Sequence, residues 1–392
     1  MARRWRILAV LFLARAAMGF QFQSVAAVSP LVMERFGVGL AELGALIGLY
    51  LLPGVALALP GGALGARFGD RRAVAFGLAL MAAGGALSAL GASWESQIAG
   101  RLVSGAGGVL LNVVMTKMVA DWFAGREIAT AMGVFVNSWP VGIALALLAA
   151  PAAAELGGGA PGAMWLAAAL AAAGVVLILA GYRSPERAAS GAPPAQRWIG
   201  GRALACVIVA GAVWGLYNAA LAMIFSFGPA LLTERGAPLA AASATTSLAL
   251  WALALSVPLG GVLAYRLGRR DAVLAGGLAV SIGLYALAAQ PGPAALVFAA
   301  LGLVAGLPAG PIMSLPAAVL RPDIRSTGMG VFYAVYYLMI VAGPAAGGAA
   351  AERAGGASAA MLLGAGFSTA CLLLLGLFRM MTKVSATRAT AV

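Results

Sequence analysis

Histidine is absent from the 392 residues, cysteine and lysine each occur twice, and only twelve residues are acidic. Each shortage removes a class of chemistry. Without histidine there is no His-based metal site, no His general base and no HExxH helix. Cys206 and Cys371 both sit inside apolar runs, so neither a disulfide framework nor a zinc site is implied. Lys117 and Lys383 each follow a threonine, so the Gly-Lys pair of a nucleotide-binding Walker loop cannot form. All twelve acids fall in loops or at the ends of apolar segments, and no G-x-S-x-G elbow occurs. No cofactor, no metal and no enzymatic activity are expected.

Charge itself is scarce: 9% of positions are charged, where a soluble domain carries roughly 25%. With 62% hydrophobic residues and a mean hydropathy of +0.98, a water-facing surface would be as oily as the core. Lipid must therefore be the solvent for most of the chain. A formal charge of +13 raises the question of nucleic acid, but the arginines come in ones to threes between apolar stretches and form no long patch. Membrane topology accounts for them better.

Hydrophobic runs and their breaks predict twelve spans, at 7–29, 40–64, 73–92, 95–120, 128–153, 162–182, 203–232, 240–264, 272–289, 293–320, 327–350 and 357–381. That allots about 33 residues to each span and its connection, against about 20 needed to cross. The one long polar interruption, rich in Pro, Ser, Gly and Arg, lies at the middle. The expected organisation is a six-helix bundle at 1–182, a cytoplasmic linker at 183–202, a second six-helix bundle at 203–381 and a cytoplasmic tail at 382–392. Arg3, Arg4 and Arg6 ahead of Ile7 imitate a signal peptide, but the apolar stretch runs on past Arg15 to Pro30, so a retained first helix is expected. Counting basic residues by loop gives 20 on the side of both termini against three, Arg35, Arg235 and Arg353, on the other. Both ends should lie in the cytoplasm, in a bacterial inner membrane.

The two halves repeat. Gly61-Gly62-x-Leu64-x-x-Arg67-x-Gly69 returns as Gly260-Gly261-x-Leu263-x-x-Arg266-x-Gly268 at an offset of 199. Leu102-Val103-x-Gly105 returns as Leu303-Val304-x-Gly306 at 201, and Thr130-x-Met132-Gly133-Val134-Phe135 as Thr327-x-Met329-Gly330-Val331-Phe332 at 197. Near-constant offsets in three separate places indicate duplication.

These motifs carry a resemblance over the whole chain to the major facilitator superfamily. Its loop motif between helices 2 and 3 aligns with Gly62 to Arg71, although the acidic position is Ala66 in the first copy and Tyr265 in the second, while Asp70 and Arg269 follow the second glycine. The acidic latch of that loop is thus in doubt. Arg67, Arg71, Arg266 and Arg270 either engage helix ends and acidic lipid heads or only fix topology. The helix 4 motif R-x-x-x-G-x-G-G matches Arg101 to Gly108. A G-P-x-x-G-G cluster, familiar from helix 5 of antiporters, stands instead in helix 11 as Gly343-Pro344-x-x-Gly347-Gly348. The overall pattern is similar to the cyanate and nitroimidazole permease branch.

The resemblance implies a cavity lined by helices 1, 4, 7 and 10. An arginine at mid-bilayer costs about 2.5 to 3.5 kcal/mol on insertion scales, so Arg15, about 12 Å into helix 1, must face water, protein or ligand. On a helical wheel Phe22, Gly19 and Gln23 fall about 20°, 40° and 80° from it. Arg15 either binds an anionic group bidentately, with Gln23 as an orienting donor, or is tied to neighbouring carbonyls. Arg101 shares a stripe with Gly105, Gly108, Asn112 and Thr116, and is either a gating group above a substrate contact at Asn112 or part of a close-packed seam. Trp214, Tyr217 and Asn218, with Tyr333 and Tyr337, are candidates for the opposing wall.

A cavity with only positive formal charge favours a small anion or weak organic acid. The expected activity is secondary or facilitative transport of such a solute by alternating access, with a co-transported proton or an exchanged anion as coupling options. The alternative is a proton-coupled drug or metabolite exporter using Glu34 or Glu42; a membrane sensor or enzyme is disfavoured. Expected partners are the solute and membrane lipids, with no nucleic acid and a monomeric chain.

Overall fold

The computed structural model describes residues 3–57, 68–123, 127–184, 199–321 and 324–389. Among the described residues there is no strand, and twelve helices are long and apolar enough to cross a membrane. In the first half they are α1 (Arg3–Ala27), α2 (Leu40–Leu57), α3 (Asp70–Leu90), α4 (Trp94–Phe123), α5 (Ile128–Leu156) and α6 (Ala160–Gly181). In the second they are α7 (Gly201–Glu234), α8 (Leu239–Leu267), α9 (Arg270–Ala289), α10 (Ala294–Met313), α11 (Arg325–Ala354) and α12 (Ser358–Ala389). Twelve crossings bring both termini to one end of the bundle, called here the termini end.

Two spans are broken where proline removes a helical donor. At Pro53 in α2 and Pro308 in α10 the chain bridges the gap with tighter turns, Leu52 N–H to Leu49 O at 3.3 Å and Leu307 N–H to Val304 O at 3.2 Å. The tenth span is shorter than the expected 293–320: the helix ends at Met313 and the chain continues into a 3-10 segment that starts at Pro316, Pro316–Ala318. The twelfth is longer: helix continues through most of the expected tail to Ala389. Residues 58–67, 185–198 and 390–392, which hold the end of the expected second span, most of the linker, the end of the tail and Arg67, lie outside the described residues.

The duplication is visible in the packing. In the first half α1 packs on α5, α2 on α4 and α3 on α6; in the second, α7 packs on α11, α8 on α10 and α9 on α12. Gly69 and Gly268, equivalent at the 199 offset, both take positive φ, 84° and 62°, just before α3 and α9. A side chain would be strained there, so both copies keep glycine at the same corner.

The halves meet along α2–α11, α5–α8 and α1–α7. At the end away from the termini this seam is closed. A Cβ added to Gly44 would collide with the Pro344 carbonyl, and one added to Gly348 with the Leu40 carbonyl, so α2 and α11 touch backbone to backbone. Ser243 donates to the Ala27 carbonyl at 3.0 Å, and the Ala41 N–H donates to Glu352 at 2.9 Å.

Candidate functional site

Prolines inside the spans decide where polar side chains find partners. A proline at position i leaves the carbonyl of residue i−4 without its helical donor. Pro140 in α5 frees Val136, Pro229 in α7 frees Phe225, and Pro258 in α8 frees Ala254. Each freed carbonyl is taken by a side chain from another helix. Arg15 donates to Val136 O at 3.0 Å, Gln23 donates to Phe225 O, and Asn137 donates to Ala254 O at 3.0 Å. The last two bonds join the halves.

Arg15 is carried to this point by a tight α1–α5 seam, in which a Cβ at Gly19 would meet the Trp139 carbonyl and one at Gly142 the Ala16 carbonyl. One turn along from that seam, its guanidinium reaches two other helices, α4 and α5. Nε donates to Asn112 Oδ1 at 2.8 Å, and Nη1 lies 3.1 Å from Phe135 O, 3.0 Å from Val136 O and 3.0 Å from Ser138 Oγ. The group sits 4.8 Å over the Phe135 ring. Nη2 donates to no protein atom among the described residues.

Asn112 is presented by the glycine stripe of α4: Gly105 packs against the Tyr50 carbonyl, Gly108 against the Tyr50 side chain and Met18, and one turn on comes Asn112. From the other half, α11 brings Tyr333, Tyr336 and Tyr337 within Coulombic reach of Arg15, with Tyr337 beside Asn112. Behind them Trp214 stacks with Tyr336 and Tyr217, at ring-centroid distances of 6.1 and 5.4 Å. Arg15 and Asn112 are half-buried, Tyr333 is 37% exposed, and Val136 and Gly133 border open space.

The structure therefore brings together Arg15, Asn112, Tyr333, Tyr337 and Trp214 from the expected set. Phe22 and Gln23 sit elsewhere, in the far-end seal. Phe22, 1% exposed, packs against Tyr50, Trp139 and Phe225, and Gln23 is wholly buried on Phe225 O. Tyr217 turns its hydroxyl to Ala305 O at 2.7 Å, tying α7 to α10, and Asn218 bonds back to Trp214 O in its own helix. Three residues without an expected role, Phe135, Ser138 and Tyr336, complete the Arg15 cluster.

Arg101 is 3% exposed and spends its donors on backbone: Leu46 O at 3.3 Å, Gln21 O at 2.8 Å and Phe22 O at 2.8 Å, with its charge 4.8 Å over Tyr50. It clamps α1, α2 and α4 together above the Arg15 cluster. Gly343 packs on Ala219 of α7 and Pro344 faces α2, so that glycine-proline motif is part of the far-end seam. At the termini end Arg71 donates to Leu179 O, closing α3 on α6, while Arg266 and Arg270 are exposed. Among the described residues no acidic side chain lies in the interior of the bundle, and no cluster of His, Cys, Asp or Glu is fit for a metal.

A sequence profile of the Major Facilitator Superfamily matches the chain twice, over residues 11–228 and 203–391. No curated protein sequence matches it. Among solved structures, a bacterial homolog of the human lysosomal transporter Spinster, in an inward-facing and unoccupied conformation, is similar with a TM-score of 0.78 and 15% identity over 99% of this chain and 98% of that one. The same homolog in its occupied inward-facing form gives 0.76 and 17%, over 99% and 97%. The nucleoside transporter NupG gives 0.73 and 17%, over 98% of this chain and 100% of that one. These likenesses concern the fold. Two matches that together run from near the first residue to near the last, on a duplicated twelve-helix bundle, place the chain: it belongs to the Major Facilitator Superfamily of membrane transporters.

Proposed function

We propose that this transporter carries a small anion or weak organic acid by alternating access, and that Arg15 is the group that binds it. One observation carries the reading: Arg15 stands at mid-span with four acceptors on Nε and Nη1, and Nη2 is left for a ligand. All four acceptors are neutral, so the charge stays uncompensated in a medium where that is costly. An anion would supply both the countercharge and the missing acceptor. Tyr333, Tyr336 and Tyr337, within Coulombic reach of Arg15, supply hydroxyl groups from the other half that could donate to the same ligand.

The excess of basic residues on the side of both termini supports a cytoplasmic location for them. The sealed end then faces outward and the Arg15 cluster opens to the cytoplasm. Rocking of the halves about the cluster would break the α2–α11 and α1–α7 contacts and open the opposite side. A cargo of this kind fits the pattern resemblance to the cyanate and nitroimidazole permease branch.

The test is an uptake screen in proteoliposomes comparing anions, cations and neutral solutes, with and without a pH gradient. Uptake of an anion that is lost in Arg15→Ala, with insertion and folding intact, supports the reading. Uptake confined to cations or neutral solutes, or strictly dependent on the pH gradient and lost in Glu42→Gln, overturns it.

A further inference from the structure

At the termini end of the second half a groove of about 670 Å³ opens between the α8–α9 turn, the end of α10 and α12. Arg269, Arg270, Asp271, Ser314, Ala318 and Arg379 line it. Asp271 is paired with Arg379. Arg269 and Arg270 are exposed and pair with no carboxylate among the described residues, so the groove carries two uncompensated guanidinium groups.

The first half shows what is missing. There Lys117 Nζ, from α4, lies 2.8 Å from Asp70 at the start of α3 and 2.8 Å from Asp121, strapping the two helices together. The repeat offsets of 199 and 201 set Asp70 opposite Arg269 and Lys117 opposite Ala318. In the second copy the acid has become an arginine and the lysine an alanine. The strap is gone, and a cationic groove stands in its place.

We propose that this groove binds the phosphate headgroup of an anionic phospholipid, which braces α8, α9 and α10 where the first half uses Lys117. Two adjacent guanidinium forks match the oxygens of a phosphodiester. The groove lies where the spans end, at the boundary of lipid and water. Leu267, Leu263 and Leu259, spaced four apart on α8, form an exposed apolar track leading away from it into the bilayer, along which acyl chains can lie. A free phosphate would use the same arginines and leave that track uncovered. The site is separate from the Arg15 cluster, and its test reads lipid binding, not transport.

The experiment uses the purified full chain in detergent, with lipid binding followed by native mass spectrometry and thermal unfolding. The probes are phosphatidylglycerol, phosphatidylcholine and inorganic phosphate. Phosphatidylglycerol is expected to bind and raise the unfolding temperature, with phosphatidylcholine and inorganic phosphate doing neither. Arg269→Gln with Arg270→Gln should weaken phosphatidylglycerol binding roughly 30-fold, the usual worth of two basic residues at an anionic surface. The corresponding double lysine variant keeps the charge and most of the binding. Ala318→Glu, which leaves both arginines in place and supplies a carboxylate from the opposite wall, should abolish the response and serves if the double variant fails to fold. Equal responses to the two lipids, a full response to inorganic phosphate alone, or undiminished binding in Ala318→Glu overturns the proposal.

Discussion

Arg15 and Asn112, 97 residues apart in sequence, are joined by a 2.8 Å hydrogen bond from Nε to Oδ1. The bond holds one edge of the guanidinium against α4, while the carbonyls of α5 hold another. A planar fork fixed on two sides presents its remaining nitrogen in a set direction. Tyr333, Tyr336 and Tyr337 of α11, in the other half of the molecule, lie within Coulombic reach of it.

Geometry, beyond charge, is then required at position 15. Arg15→Lys keeps the charge but cannot span Asn112, Val136 and Ser138 while also reaching a ligand. Anion uptake in this variant is expected to fall roughly 10- to 100-fold, the range for losing a hydrogen bond to a charged group. Initial rates in proteoliposomes, normalised to inserted protein, check this.

Asn112 offers a sharper contrast. Asn112→Asp preserves shape but sets a carboxylate 2.8 Å from Arg15, giving it an internal counter-ion in competition with any anion. Asn112→Ala only removes a neutral partner. The aspartate variant should therefore transport less than the alanine variant, an order that a purely steric role for Asn112 would reverse.

Arg101 is expected to act on stability and not on affinity. Its replacement by methionine removes three bonds to the carbonyls of Gln21, Phe22 and Leu46 from a site 3% exposed. A loss of about 2 to 4 kcal/mol is expected. Thermal unfolding of the purified variant should show it, with ligand affinity of the folded fraction unchanged.

Pro258→Ala restores an N–H able to serve Ala254 O from within α8, so Asn137 must compete for a carbonyl it now holds alone at 3.0 Å. The sealed conformation should weaken by about 1 kcal/mol, raising exposure of the far end about fivefold. Maleimide labelling of Ser243→Cys measures this directly, because Ser243 contacts Ala27 across the seam and both native cysteines are buried.

Spans and repeat were legible in the sequence because hydropathy and glycine patterns are local signals. The site was legible in part. The wheel set Phe22 and Gln23 on the side of Arg15, but seven and eight residues of rise carry them about 10 to 12 Å along α1, into the far-end seal. Asn112 could be placed on the Arg101 face of α4, yet its bond to Arg15 depends on how α1 crosses α4, which no single helix encodes. Spacing of four singles out Tyr333 and Tyr337, whereas Tyr336, three residues from one and next to the other, is the tyrosine that stacks on Trp214. Ser138 and Val136 carried an overlooked signal, Pro140, whose missing N–H marks the carbonyl that Arg15 takes.

The most direct test of the account is equilibrium binding of weak organic acids to the purified chain, wild type beside Arg15→Gln. One saturable site is expected, with affinity rising as pH passes above the acid's own pKa and the ionised form accumulates, and it should vanish in the variant. Binding unchanged in a folded Arg15→Gln protein, or stronger for the protonated acid than for its anion, would contradict the account.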